Sequence, residues 1–170
     1  MNLENYIRDV EDFPKKGVLY KDITPLLKSH EATSNALDQF IDQLKGQKID
    51  KVVGIESRGF LFGILLAQKL NVGFVPIRKP GKLPSETLKS TYDLEYGKDT
   101  IEIHKDAIET GEQILLHDDV LATGGTAAAA CQLIEELGGE LVQTNFLLEI
   151  SALNGVEKIK QYPCVSLLKY

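Results

Sequence analysis

The chain predicts an α/β fold: a doubly wound, mostly parallel sheet flanked by helices, in one domain over residues 1–170. Short apolar runs of strand length alternate with longer stretches of helical periodicity, the pattern of a wound sheet. Several of these runs are continuous rather than alternating, as strands covered on both faces require. The segments richest in acids, glycines and basic residues, 56–59, 78–97 and 118–126, each follow a predicted strand, where ligands bind in such sheets.

Residues 3–10 read as a short helix, and Asp12-Phe13-Pro14-Lys15-Lys16-Gly17 as turns. Val18 to Ile23 reads as extended chain or loop, stopped by Thr24-Pro25. Ala32, Ala36, Leu37, Phe40, Ile41 and Leu44 form a helical stripe over 31–45, with Gly46 as the stop. Lys51 to Ile55 is a buried strand, Phe60 to Leu70 a helix and Asn71 to Ile77 another strand. Residues 78–92 carry Lys, Pro, Gly, Ser and Thr and predict a loop. Tyr92–Tyr96 and Thr100–His104 alternate as strands do and predict a hairpin outside the core sheet. Ile114-Leu115-Leu116 is a strand, Ala127–Leu137 a helix stopped by Gly138-Gly139, and Leu141–Leu148 a strand. A short helix over 151–160 and a last strand at Val165–Leu168 close the chain.

Composition narrows the function classes. Of the residues, 43% are hydrophobic and 26% charged, as in a soluble globular domain with a sizeable core. The net charge is -6 without a long basic run, which argues against nucleic acid as the main partner. The local cluster Arg78-Lys79-Pro80-Gly81-Lys82 suits an anionic small molecule. Cys131 and Cys164 are too few for a disulfide framework or a zinc site and suit a reducing cytosol. The polar N-terminus has no signal-peptide pattern, and no apolar stretch reaches the roughly 18 residues of a membrane span, so a cytoplasmic location is expected.

His117-Asp118-Asp119-Val120-Leu121-Ala122-Thr123-Gly124-Gly125-Thr126 is the most informative segment. It joins the strand at 114–116 to the helix that follows. Free amides and the positive end of the helix dipole favour an anion there. Glycines admit it closely, and threonine hydroxyls add donors. Two carboxylates would repel a phosphate held against them, but they suit hydroxyl groups or a cation a few ångströms away. Phosphate and diol together describe ribose 5-phosphate. The segment lacks the Gly-Lys-Ser/Thr ending of a P-loop and the spacing of a dinucleotide fingerprint. His117 reads as a strand residue packed on a neighbour.

The segment resembles the signature of type I phosphoribosyltransferases. Phe13-Pro14, Gly17 to Pro25, Glu56 to Gly63, Arg78 to Pro84, Leu94-Glu95-Tyr96-Gly97 and the 118–126 segment occur in order, and together they resemble the adenine phosphoribosyltransferase family from about residue 10 onward. The resemblance implies that family's fold, with a small hood over residues 1–30 and a flexible lid loop and hairpin over 78–105. It implies Mg²⁺-dependent transfer of ribose 5-phosphate from phosphoribosyl pyrophosphate to adenine, giving AMP and pyrophosphate, in a homodimer.

Site roles follow residue by residue from the same resemblance. Ala122, Thr123, Gly124, Gly125 and Thr126 would hold the 5-phosphate. Asp118 and Asp119 would address the ribose hydroxyls, or Mg²⁺ through water, with no direct metal ligand. Glu56, Ser57 and Arg58 match a pyrophosphate loop with a non-proline cis peptide at Glu56–Ser57. Arg78, Lys79 and Lys82 would neutralise the departing pyrophosphate, and charges from this region can reach a neighbouring subunit. Glu95 matches a glutamate at the imidazole edge of adenine, where a carboxyl can exchange a ring proton; either ring nitrogen fits. Leu19, Tyr20 and Lys21 would recognise the base largely through backbone groups, Tyr20 stacking on it and Ile150 covering its other face. Many relatives have Phe and Arg where this chain has Tyr20 and Lys21, which leaves base specificity less determined than the reaction class.

Overall fold

The computed structural model describes residues 1–93 and 97–170. Its centre is a five-stranded parallel sheet in the order β4-β3-β7-β8-β9: Lys51–Ile55 (β3), Gly73–Ile77 (β4), Gln113–Leu121 (β7), Glu140–Glu149 (β8) and Cys164–Lys169 (β9). Strand order reverses beside β3, so the first crossover runs to one side and the later ones to the other, as in a doubly wound sheet.

Each face of the sheet is covered. On one side α2 (His30–Gln43) and α3 (Gly59–Leu70) pack Phe40, Phe62 and Leu66 onto Val52, Leu115 and Leu147. On the other, α4 (Gly125–Glu136) packs Ala130, Leu133 and Ile134 onto Val53, Ile114 and Leu116. Alternate residues of β7 thus serve opposite cores, the period-two rule of a strand. Both faces are apolar, which is why these strands read as continuous runs.

The hairpin β5 (Thr87–Asp93) and β6 (Lys98–His104) forms its own two-stranded sheet. It starts five residues earlier than the alternation at Tyr92 suggests, because Thr87 pairs with His104 and Tyr92 with Asp99. The predicted loop over 78–92 is correspondingly shorter. An isolated bridge between Arg78 and Glu102 ties the hairpin to the end of β4.

Other local expectations are corrected. Residues 3–10 are not one helix: a 3-10 turn, Leu3–Tyr6, leads into β1 (Arg8–Glu11). Antiparallel pairing of β1 with β2 (Leu19–Asp22) overrides local propensity. Thr24-Pro25 starts rather than stops an element, since Pro25 opens α1 (Thr24–Lys28), a position where its missing N–H costs nothing. Residues 151–160 form two 3-10 turns, Ser151–Leu153 and Gly155–Ile159. Strand β7 runs on through Leu121, so Asp118 and Asp119 lie within it rather than in a loop.

Candidate functional site

At the carboxyl end of β7 the chain turns through 122–124 into α4. Gly124 has φ +77°, and a Cβ there would sit 2.2 Å from the carbonyl oxygen of Gly155. A Cβ on Gly155 would in turn meet the Ala122 oxygen at 2.1 Å. Backbone therefore packs on backbone, and only glycine fits either position. The helix begins directly after Gly124, two residues before the alanine run. No side chain caps it, which leaves its N-terminal amides for an anion. Asp118, Val120, Leu121, Ala122, Thr123, Gly124, Thr126 and Ala127 line a cavity of about 70 Å³ at this corner.

Asp118 lines that cavity, and Asp119 follows it on β7. The Asp118 Oδ1 accepts the Asp119 amide at 2.9 Å, and Gly59 backs it so closely that a Cβ would lie 2.8 Å from Oδ1. Asp119 is buried, and its Oδ2 pairs with Arg58 Nε at 2.7 Å. Burial, followed by the charge of Asp119, raises Asp118 well above the usual carboxylate range. Burial also raises Asp119, against the pull of Arg58.

His117 precedes them and is fully buried, edge-on to Phe40 at 5.3 Å. Its Nδ1 donates to the Asn145 Oδ1 at 2.7 Å, since that amide oxygen can only accept. Burial lowers its pKa to about 4, so it is a neutral packed strand residue.

The loop after β3 contains the Glu56–Ser57 cis peptide. The Glu56 carboxylate accepts from Arg78 Nη2 at 3.0 Å, Arg78 Nε at 3.2 Å and the Lys79 amide at 2.9 Å. The Arg78 bonds hold its pKa below the ordinary value. Arg78 Nη1 reaches the Lys82 carbonyl at 3.3 Å, so Glu56 and Arg78 together shape the 78–82 turn. Ser57 and Lys82 are exposed. Arg58 donates through Nη1 to the Tyr20 hydroxyl, with its Cζ 5.2 Å from that ring's centroid.

On the far side of Arg58, Leu19 is exposed and Tyr20 meets Phe13 edge-on at 5.0 Å. The Lys21 ammonium turns the other way, to Asp9 Oδ1 at 2.6 Å and over the Tyr170 ring at 3.9 Å. Ile150 follows β8, its amide bonded to the Leu121 carbonyl at 2.9 Å, which sets it beside the 122–126 turn. Glu95 lies outside the described residues.

Two residues that sequence reasoning did not single out join these parts. Thr126 Oγ1 donates to the Tyr92 hydroxyl at 2.9 Å, and that hydroxyl donates to Asp99 Oδ2 at 3.1 Å. Asp99 also pairs with Lys79. A chain of contacts therefore runs from the α4 N-terminus across the hairpin to the 78–82 turn. Only the hairpin register, Tyr92 opposite Asp99, could have flagged it. Nothing in the sequence points to Gly155.

A phosphoribosyl transferase domain model matches residues 20–168. The adenine phosphoribosyltransferase of Christiangramia forsetii is 64% identical, over 100% of this chain and 99% of that protein. The crystal structure of the adenine phosphoribosyltransferase from Thermoanaerobacter pseudethanolicus aligns with a TM-score of 0.96 at 49% identity, covering 99% of this chain and 100% of that one. The Saccharomyces cerevisiae adenine phosphoribosyltransferase, complexed with an imino-altritol bisphosphate and adenine, aligns with a TM-score of 0.93 at 43% identity, covering 98% and 96%.

Proposed function

The chain belongs to the phosphoribosyl transferase family, among the adenine phosphoribosyltransferases, and from that premise we propose that it makes AMP and pyrophosphate from adenine and phosphoribosyl pyrophosphate in purine salvage. One observation carries the reading: an uncapped helix N-terminus behind a turn that only glycine can form, with the Asp118 carboxylate lining the same cavity and the Asp119 carboxylate beside it paired with Arg58.

In this reading, residues 122–126 bind the 5-phosphate by backbone donors and the helix dipole. Asp118 and Asp119 bind the ribose hydroxyls. Their negative charge also suits the positive charge that develops on the ribose ring as pyrophosphate departs. Arg58, with Glu56 and Ser57 beside it, and the 78–82 cations Arg78, Lys79 and Lys82 take up the charge of the leaving group. Glu95 exchanges a purine ring proton. Adenine lies between Tyr20 and Ile150, read by the backbone of 19–21. Residues 1–30 form the hood and 78–105 the lid and hairpin that keep water from the ribosyl group.

Mg²⁺ fits the donor set only through water. Among the described residues no group of three or more potential ligands surrounds a point, whereas Asp118 and Asp119 offer two adjacent carboxylates. Bound there with pyrophosphate, the ion would supply charge neutralisation of the leaving group.

A homodimer belongs to the same proposal. Leu61 and Ile64 lie exposed one turn apart on α3, 43% and 52% accessible, an apolar pair suited to an interface. No helix among the described residues is long and apolar enough to cross a membrane, and we place the enzyme in the cytoplasm.

The test is AMP formation from adenine and phosphoribosyl pyrophosphate with Mg²⁺, beside hypoxanthine and guanine. Turnover with adenine alone is expected. Tight binding of phosphoribosyl pyrophosphate without turnover of any base would point to a regulatory binder instead.

A further inference from the structure

Arg58 is held at two points by groups from opposite ends of the site. Its Nε pairs with Asp119 of β7, and its Nη1 donates to the hydroxyl of Tyr20 on β2. A guanidinium is planar, with donors in a fixed fork. One anchor leaves the planar group free to pivot about that contact through the side-chain torsions up to Cδ–Nε; two anchors on different edges fix its plane. The stack over the Tyr20 ring, 5.2 Å from Cζ to centroid, adds a third restraint. With Nε in an ion pair with Asp119 and one Nη1 proton given to Tyr20, the remaining Nη protons are left for an anion beside the 56–58 loop.

Tyr20 itself is positioned by Phe13, whose ring meets it edge-on at 5.0 Å. Phe13 is half exposed, so this aromatic pair stands at the edge of the hood, where a planar ligand can reach it. Ordering the Tyr20 ring orders its hydroxyl, and with it the plane of Arg58.

We propose that the Tyr20 hydroxyl is a positioning group that couples the base half of the site to the pyrophosphate half through Arg58. The inference rests on the assignment of base to Tyr20 and of pyrophosphate to Arg58 made above, and deepens it. Coupling between two sites is reciprocal: whatever factor pyrophosphate adds to adenine affinity, adenine adds to pyrophosphate affinity. A hydrogen bond to a charged group is strong enough to account for a factor of about ten.

The experiment is calorimetric titration of the intact protein with adenine, with and without saturating pyrophosphate in Mg²⁺ buffer, a pair that cannot react with each other. In the native protein pyrophosphate should tighten adenine binding about tenfold. Tyr20→Phe keeps the ring and removes only the hydroxyl. Whatever its effect on adenine alone, it should lose the enhancement, the ratio of the two affinities falling to less than about twofold. Arg58→Lys, which keeps charge but not the planar fork, should lose it too, and the double variant should lose no more than either single one. Equal weakening of adenine binding in both states by Tyr20→Phe would assign the hydroxyl a merely structural role and overturn the proposal. So would an undiminished enhancement in Tyr20→Phe, or its absence from the native protein. AMP formation by the native protein is measured in parallel. Its absence would count against the proposed reaction, whereas AMP formation with no coupling would count against this inference alone.

Discussion

The turn at 122–126 and the loop-hairpin region at 78–105 face each other across Thr126, yet different forces shape them. The turn is backbone against backbone: Gly124 and Gly155 approach so closely that neither admits a Cβ. Its floor is buried strand, and its donors are amides that cannot rotate away. The 78–82 turn is instead held by side chains on side chains, Arg78 on Glu56 and Lys79 on Asp99. These ion pairs are a third or so exposed on the cationic side, where such pairs contribute little to stability. A ligand held by the first region meets a rigid, prepaid geometry. A ligand held by the second must compete with Glu56 and Asp99 for cations already paired. On the proposed reading, fixed phosphate anchoring and exchangeable charge neutralisation are thus separated in the fold.

The largest effect is expected at the rigid side. Gly124→Ala places a Cβ into the Gly155 carbonyl at a positive φ, so the turn must open. AMP affinity should fall at least about a hundredfold, comparable with losing a preorganised donor set. Retained AMP affinity, measured by calorimetry, would show that the two glycines do not define the anion site.

Asp118→Asn comes next. The amide can still accept from the Asp119 N–H, but the negative charge is gone. Turnover should drop about a hundredfold. Stability should move the other way. Asp118 has a raised folded pKa, so it binds protons more readily folded than unfolded. It therefore favours folding as pH falls through the raised value and opposes it at neutral pH. Removing it should lift the thermal midpoint at neutral pH by a few degrees. A lowered midpoint would mean the carboxylate is stabilising, and the contrast between site and scaffold would fail there.

Lys79→Ala tests the exchangeable side. It should raise the KM for phosphoribosyl pyrophosphate about tenfold, or about 1.4 kcal/mol. AMP binding should be unchanged, because AMP has no pyrophosphate, and the thermal midpoint should stay within about 2 °C. Equal losses for AMP would mean that the 78–82 turn shapes the rigid half as well.

The smallest effect concerns the floor beneath the acids. His117 is neutral when folded, with its pKa lowered to about 4 from an ordinary 6.5. The unfolded chain binds the proton first on acidification. This group's contribution is therefore fully present above about 6.5 and is lost as pH falls toward 4. His117→Gln keeps a donor for Asn145 and does not titrate. Its urea-unfolding profile should be flatter than the native one across that window, by up to about 3 kcal/mol. Parallel profiles would place the titrating burden on other groups.

Most of the sheet was legible because its strands are buried on both faces and its helices carry a clear stripe: Val52 shares a core with Phe40, Ala36 and Ala32, while its neighbour Val53 faces the opposite core. The segment 117–126 was legible for a related reason: acids after an apolar run, then glycines before a helix, leave few backbone arrangements. The hood was not. Arg8 to Glu11 is polar, and it becomes a strand only because Leu19 to Asp22 pairs with it. The start of the hairpin was missed because Thr87 to Thr91 looks like loop chemistry until its partners across the strand are known.

Residue order alone dictates the alternation of elements, the glycine turn and uncapped helix start before α4, and the placement of two acids beside it. These are local properties: periodicity, backbone freedom and helix-end electrostatics act within a few residues. Tertiary structure decided what each group faces. Gly124 needs Gly155, 31 positions away, Tyr92 joins Thr126 to Asp99, and Arg58 joins Tyr20 to Asp119. Such contacts depend on crossover direction and strand register, which long-range packing sets and no local pattern encodes.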